Sequence, residues 1–325
     1  MTIRSSVFVR AAQNVVVPTL LALLLTVSPL AAQGQGAGRA VLVTGASSGL
    51  GLKMTEVLAA NGYFVYAGAR SADDLQRLDA MERVKAVRLD VTDQEEISAA
   101  VAMIEAEGRG LYGLVNNAGV AVVGPLIEMP EEDMRFQLDV NLFGPYRVTK
   151  AFAPLLLESK GRIMTTSSLN GIVSSTFLGA YSMSKHGVEA YTDALAGELA
   201  DFGVTVGVVE PGNYKSQIVA SMKERMAAAG YTEDNSRFGS MMNLFAGPED
   251  RAQYPEPDEV AMAILHFMSS DTPKRRYLVV PNQREAEIAI RKAIQELVQL
   301  NQDHPFSYDR DELIRMLDEA LAGGR

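Results

Sequence analysis

Cysteine is missing from the 325 residues, and histidine occurs three times. Without a thiol the chain can build no disulfide framework, thiolate zinc site or iron–sulfur cluster, and a cysteine nucleophile is excluded. His186, His266 and His304 are too scattered to form a metal-ligating motif, so no metal is expected. Positive charge is also short: 30 Lys plus Arg stand against 40 Asp plus Glu, for a net charge of -10. A nucleic-acid groove needs a basic face for its phosphate contacts, so no nucleic-acid partner is expected. What is present is ordinary for a folded soluble protein, with 47% hydrophobic and 22% charged residues, which argues against disorder, collagen and coiled coil.

The first residues differ from the rest. Arg4 and Arg10 precede an uncharged apolar stretch from Val15 to Ala32, followed by QGQGAG. This is the layout of a secretory signal cut ahead of Gln33. Removing the two arginines would move the net charge from -10 to -12. An uncleaved membrane anchor is the competing reading, because 18 apolar residues just cross a hydrocarbon core at about 1.5 Å per residue. Residues 1–32 are therefore expected to be a signal peptide or an anchor. The protein is then exported, periplasmic or secreted, or tethered with a membrane contact through this segment; a mis-set start codon would leave it cytoplasmic.

From Arg39 onward strand-like and helix-like segments alternate. Strands are expected at 39–45, 63–69, 84–90, 111–117, 161–168, 204–212 and 276–281, with helical periodicity at 51–60, 93–106, 131–157, 178–200 and 256–268. Asp93 and Glu131 sit near helix N-termini, where carboxylates are favoured. Such alternation predicts right-handed βαβ units and a parallel α/β sheet covered on both faces. With no internal repeat and no Ser- or Pro-rich linker, one catalytic domain over 39–282 explains the pattern, followed by a helical extension over 283–325.

Chemistry first appears in the turn after the first strand, TGASSGLG, Thr44 to Gly51. Gly45, Gly49 and Gly51 let the backbone turn tightly and approach a pyrophosphate at a helix N-terminus, with Ser47, Ser48 and Leu50 between them. The spacing is Gly-x3-Gly-x-Gly, which departs from the Gly-x-Gly-x2-Gly fingerprint. A plain strand-to-helix turn would also favour glycine. A ribose reader is expected about 20 residues further on, and Arg70 stands 19 residues after Gly51. No acid occupies that strand end, and an arginine suits the 2'-phosphate of NADP where an acid would suit NAD. Ser71 adds a hydroxyl there; the alternative for Arg70 is a solvated loop charge.

Tyr181 and Lys185 in YSMSK are spaced i and i+4, so a helix puts both on one face. Ser168 ends a strand 13 residues before Tyr181, at the carboxyl edge where parallel sheets open into a ligand crevice. A tyrosine exchanging a proton near neutral pH starts from a pKa of about 10 and needs about 3 units of depression, on the order of 4 kcal/mol. An adjacent ammonium supplies that kind of stabilisation to the phenolate.

TGASSGLG (44–51), LDVT (89–92), NNAG (116–119), DVN (139–141), the Ser167-Ser168 pair, YSMSK (181–185) and EPGNYKS (210–216) occur in the order seen in the short-chain dehydrogenases/reductases, which the chain resembles over about residues 39–282. The resemblance implies a Rossmann-like, doubly wound parallel sheet of about seven strands in order 3-2-1-4-5-6-7, in three α/β/α layers. It implies NAD(P)-linked oxidation of an alcohol or reduction of a carbonyl, and Arg70 makes NADP the expected cofactor, NAD being the second choice. By the same resemblance, Tyr181 exchanges the proton, Lys185 lowers its pKa and holds the nicotinamide ribose, Ser168 orients the substrate oxygen, and Asn141 keeps a relay water. Asp90 and Val91 would lie at the adenine, Asn117, Ala118 and Gly119 along the nucleotide crevice, and Pro211, Gly212 and Ser216 at the nicotinamide. Ser216 stands where the family has a threonine. A homo-oligomer, dimer or tetramer, is the expected assembly.

Other polar residues are set aside: His186 points about 100° away from Lys185 around a helix, Ser167, Ser174 and Ser175 lack the spacing of Ser168, and Glu198 and Asp201 are expected in solvent. Residues 213–254 form a long interval containing Met222, Met226, Met241, Met242, Leu244 and Phe245. Flexible thioethers suit an adaptable apolar lid, though plain helix packing would use them too. The expected substrate is a small alcohol or ketone of lipophilic, steroid- or retinol-like character. Residues 284–321 read as two helices, with Ser307 or Asp309 capping the second. The alternative to an enzyme is a nucleotide-binding sensor that keeps the fold without catalysis.

Overall fold

The computed structural model describes residues 36, 38–230, 234–246 and 253–323, without the side chains of 243–246. The chain divides into a first unit, Met1–Gln33, and a second, Gly34–Arg325. The leader lies outside the described residues, and so do the side chains of Leu244 and Phe245. No helix among the described residues is long and apolar enough to cross a membrane.

The second unit carries seven strands among its described residues: β1 (Ala40–Val43), β2 (Phe64–Ala69), β3 (Val84–Arg88), β4 (Gly113–Asn116), β5 (Arg162–Thr166), β6 (Thr205–Pro211) and β7 (Arg276–Val279). They form one sheet in the order β3-β2-β1-β4-β5-β6-β7, and every pairing is parallel. This is the order the family resemblance implied. Helices α1 (Gly49–Ala60), α2 (Ala72–Asp79), α3 (Gln94–Glu107), α4 (Glu131–Leu138), α5 (Gly144–Ser159) and α6 (Gly179–Leu199) alternate with the strands. After β6 come α7 (Ile218–Ala229), α8 (Gly239–Ala246) and α9 (Asp258–Ser269); after β7 come α10 (Gln283–Leu300) and α11 (Arg310–Gly323).

Side chains of a strand alternate between faces, and the two cores follow that period. Val41 and Val43 of β1 join Val65 and Ala67 of β2 on one face, under Met54 and Leu58 of α1 and Ile264 and Phe267 of α9. Ala40, Leu42 and Tyr66 face the other way, under Ile97 and Ile104 of α3 and Val148 and Phe152 of α5. Both faces are covered, so strands read as nearly continuous apolar runs. A third cluster gathers Ala121, Val123, Phe177, Val219, Met222, Met226 and Met242 beyond the carboxyl edge of the sheet.

Three local features depart from the sequence expectations. The helix expected over 131–157 is interrupted by a π-helical turn, Asp139–Phe143. Pro145 is the cause: it has no N–H to give the Asn141 carbonyl four residues earlier, and its ring crowds that position. The short α2 went unread although its start is marked by Ser71, which accepts from Asp74 N at 3.2 Å, and by Asp73 and Asp74 in its first turn; its eight residues span little more than two turns. Among the described residues of 213–254 there are two helices, α7 and α8, where Met222, Met226 and Met242 are buried while Met241 is 46% exposed. The expected caps are in place elsewhere: Asp93 accepts from Glu95 N and Glu96 N at α3, and Asp309 accepts from Asp311 N and Glu312 N at α11.

Candidate active site

Parallel strands all end on the same side, so the β1–α1, β4–α4, β5–α6 and β6–α7 connections meet there. One cavity is lined from all four. On the β1 side it is lined by Gly45, Ser47, Ser48, Gly49, Leu50 and Gly51, with Arg70 after β2 and Asp90 and Val91 after β3. From the middle come Asn117, Ala118 and Gly119, and from the far side Ser168, Tyr181, Lys185, Pro211, Gly212 and Ser216. Among the residues named from the sequence, Asn141 stands behind the wall.

The glycine turn fits an anionic ligand. A Cβ on Gly51 would fall 2.2 Å from the Gly45 carbonyl oxygen, and Gly49 adopts a left-handed φ of +53°, so neither position accepts a larger residue without rearrangement. α1 begins with no side-chain cap and no acidic residue in its first turn. α5, α6, α7 and α8 likewise begin without an acid, whereas α2, α3, α4 and α9 carry two or three there, so it is the glycine turn ahead of α1 that sets it apart. The first amides of a helix need an acceptor and its dipole favours negative charge, which a phosphate satisfies. The turn is braced from β4: Thr44 Oγ1 accepts from Asn117 N at 2.9 Å and Ala118 N at 3.0 Å, and Asn117 Nδ2 donates to the Thr44 and Gly45 carbonyls.

After β2, Arg70 is 70% exposed and lies 3.5 Å from Asp90. Burial works against the Asp90 carboxylate, yet hydrogen bonds from Thr92 and the charge of Arg70 outweigh it and hold its pKa below the usual range. Ser71 spends its hydroxyl on Asp74. A second cation, which the sequence reading passed over, stands close by: Arg77 of α2 donates to the Ser47 carbonyl within the turn. The signal for it was its place one helix after Arg70, legible only once α2 is recognised.

At the other end, α6 carries Tyr181 and Lys185 on one face. Lys185 is 5% exposed; its Nζ donates to the Thr166 carbonyl at 2.8 Å and lies 5.7 Å from the Tyr181 ring centre. Burial pushes the Lys185 pKa down to about 8, against an opposing pull from Glu189 one turn along the helix. An ammonium has three donors, so the Thr166 bond leaves capacity for a ligand. Ser168 Oγ accepts from Asn170 N at 3.1 Å, which leaves its own proton to give. Ser167 also borders the cavity, but it is 2% exposed and its Oγ lies 2.4 Å from where a Gly171 Cβ would stand, so its hydroxyl packs against the loop. The Asn141 amide is committed: Oδ1 accepts from Val120 N, while Nδ2 donates to the Val120 carbonyl and Ser184 Oγ. A Cβ on Gly119 would lie 3.5 Å from Asn141 Oδ1 and 3.9 Å from Lys185 Nζ, so both side chains reach the space beside Gly119. His186, Glu198 and Asp201 are exposed, as are Ser174 and Ser175.

Residues 39–227 match the sequence model of the short chain dehydrogenase family. Mitochondrial D-beta-hydroxybutyrate dehydrogenase of Bos taurus is 39% identical over 186 residues, spanning 54% of this chain and 54% of that protein, so the match reaches about half the length of that relative. Human retinol dehydrogenase 5 is 38% identical over 253 residues, 73% of this chain and 79% of that protein. Among solved structures, a short chain dehydrogenase/reductase of Burkholderia phymatum in complex with NAD superposes with a TM-score of 0.69 at 25% identity, covering 83% of this chain and 98% of that one. A short chain dehydrogenase of Burkholderia cenocepacia in complex with NADP gives 0.62 at 25% identity, covering 82% and 98%. The chain belongs to the short-chain dehydrogenase/reductase family.

Proposed function

We propose that the protein is an NADP(H)-dependent oxidoreductase that interconverts a secondary alcohol and a carbonyl. The observation that carries this reading is the convergence of Ser168, Tyr181 and Lys185 on the cavity that also holds the glycine turn. The residues fit a nicotinamide dinucleotide: the α1 amides and the Gly45–Gly51 turn would take the pyrophosphate, Asp90 and Val91 the adenine side, and Lys185 a ribose hydroxyl. Arg70 favours a 2'-phosphate and hence NADP over NAD, because guanidinium and phosphate pair bidentately. When bound, the nicotinamide supplies or accepts the hydride.

The chain's own part is the proton and the charge. Ser168 and Tyr181 donate to the substrate oxygen as negative charge grows on it, which stabilises that charge as oxyanion donors do. Tyr181 then gives up its proton, and the neighbouring Lys185 ammonium lowers the free energy of the phenolate left behind. Re-protonation needs a path from solvent. Both Nδ2 donors of Asn141 are taken by Val120 and Ser184, and in this reading its hold on a water falls to its main-chain carbonyl, the group that Pro145 deprives of its usual helical donor. The fold fixes these groups in advance, which is where orientation contributes to rate.

For the substrate we propose a neutral, lipophilic alcohol or ketone. The wall beside Tyr181 is built from Ala121, Leu178, Ile218, Val219 and Met222, and the cations that line the cavity, Arg70 and Lys185, are taken by the dinucleotide in this reading. A short hydroxy acid would bring a carboxylate against that apolar wall, where the neighbouring described donors, Gln217, Ser221 and Asn170, are neutral. The test is a screen of carbonyls and alcohols with purified protein and each cofactor. The reading expects turnover of apolar ketones with NADPH and fails if no substrate-dependent oxidation of either reduced cofactor occurs.

A further inference from the structure

The cavity wall on the β6 side is held in place from the C-terminal extension. β6 ends at Pro211, and the chain then passes Gly212, Asn213 and Tyr214 to Ser216, all four lining the cavity. Ser216 leans on the phosphate turn, since a Cβ at Gly49 would lie 3.2 Å from Ser216 Cβ. This segment therefore bridges the two ends of the site, and its position sets the shape of the crevice.

Its anchor is a carboxylate 72 residues further along the chain. Glu285, in the first turn of α10, is 8% exposed. Its Oε2 accepts from Asn213 N at 2.9 Å and its Oε1 from Asn213 Nδ2 at 3.2 Å. The carboxylate presses so closely on the segment that a Cβ at Gly212 would fall 2.0 Å from Oε2. Capping of α10 does not account for this. Asn282 Oδ1 accepts from Glu285 N at 3.0 Å, and in the reciprocal capping arrangement the glutamate would turn back to the N-cap backbone N–H. Here the carboxylate takes one bond from Asn282 Nδ2 and gives the rest of its capacity to Asn213. A carboxylate held by two amides of one residue fixes that residue more firmly than a neutral acceptor could.

We infer that Glu285 is a positioning residue: by clamping Asn213 it holds the Gly212–Ser216 wall against the phosphate turn, and so makes α10 part of the dinucleotide site. The identity of the ligand rests on the function proposed above; the clamp itself does not.

The experiment compares wild type, Glu285→Gln and Asn213→Ala by amide hydrogen exchange of the protein without ligand, by thermal melting, and by fluorescence titration with NADPH and NADH. Glu285→Gln keeps the shape and one acceptor but loses the charge and the second acceptor. It is expected to speed exchange at Asn213 and Tyr214 about tenfold and to raise the Kd for dinucleotide by a similar factor, as loss of a hydrogen bond to a charged group does. In turnover the change should fall on the KM for dinucleotide, with kcat largely kept. Exchange in β1 and β4 should stay as in wild type. Asn213→Ala, which removes one of the two bonds from the other side, should loosen Tyr214 and Lys215 even if the glutamine variant folds poorly. Glu287→Gln, an exposed change on the same helix, should alter nothing. Unchanged exchange in folded Glu285→Gln, or a loosening spread evenly over the sheet, would overturn the inference. Failure of the wild type to bind either dinucleotide would overturn the functional reading, while exchange at Asn213 would still decide the clamp.

Discussion

Replacing Lys185 by methionine should make the ligand-free protein more stable while destroying its turnover. The ammonium is 5% exposed, and burial brings its pKa from 10.5 to about 8. At about 1.4 kcal/mol per pH unit, holding the charge in the folded state costs about 3 kcal/mol. Between pH 8 and 10.5 the unfolded chain keeps a proton that the folded protein has lost, so stability rises with pH across that window, and the whole cost is present below it. Methionine is close in shape and carries no charge, but it leaves the Thr166 carbonyl without its donor, which returns about 1 kcal/mol. The net expectation is a gain of about 2 kcal/mol at pH 7 that shrinks as pH rises to 9.5. Urea denaturation at the two pH values reads it as a shift in midpoint at constant slope. Turnover should fall by about 10² or more, the usual range for a lost contribution to proton transfer. A variant less stable than wild type at pH 7, or a gain that does not shrink with pH, would refute the reasoning that a buried charge is kept here for chemistry and at the expense of stability.

Arg70→Ala should weaken NADPH binding by about tenfold or more and leave NADH nearly untouched, because one charge-assisted contact to phosphate is lost; titration with both cofactors reads the ratio. Gly51→Ala should lower the melting temperature and abolish dinucleotide binding, since its Cβ would stand 2.2 Å from the Gly45 oxygen, an overlap that backbone movement relieves at about 1–3 kcal/mol or more. Glu210 is 3% exposed; burial first and the Glu189 charge second push its pKa up to about 7 despite Arg276. The folded protein thus binds more protons than the unfolded chain between pH 4.5 and 7, and stability is lost as pH rises through that window. Glu210→Gln should remove the loss, gaining on wild type by about 3 kcal/mol from pH 4.5 to 8 in paired denaturation curves.

Much of this architecture can be read from the residues because it follows from periods and runs. Val41 and Val43 fill one face of β1 and Ala40 and Leu42 the other, so the strand is apolar throughout and easy to find. Tyr181 and Lys185 are visible because a helix turns i and i+4 to one side. What escaped was set by contacts distant in sequence or by one exceptional residue. Pro145 widens the turn at Asn141, inside a stretch whose pattern otherwise reads as one helix. α7 has apolar residues at helical spacing, Val219, Met222 and Met226, but Gln217 gives it no side-chain cap, so its start carried no signal. The partnership of Asn213 with Glu285 joins positions 72 apart and leaves no mark in either local sequence, and Arg77 gains meaning only from the carbonyl it reaches.

The central claim, that Tyr181 exchanges the proton beside a nicotinamide while Lys185 stabilises its anion, is tested most directly by following deuterium. NADPH deuterated at the nicotinamide C4 is incubated with an apolar ketone and wild-type protein or Tyr181→Phe. The account predicts one deuterium on the carbinol carbon of the wild-type product and a rate lower by about 10² or more in the variant, with NADPH still bound. Equal rates for the two proteins, or deuterium released to water in place of product, would contradict it.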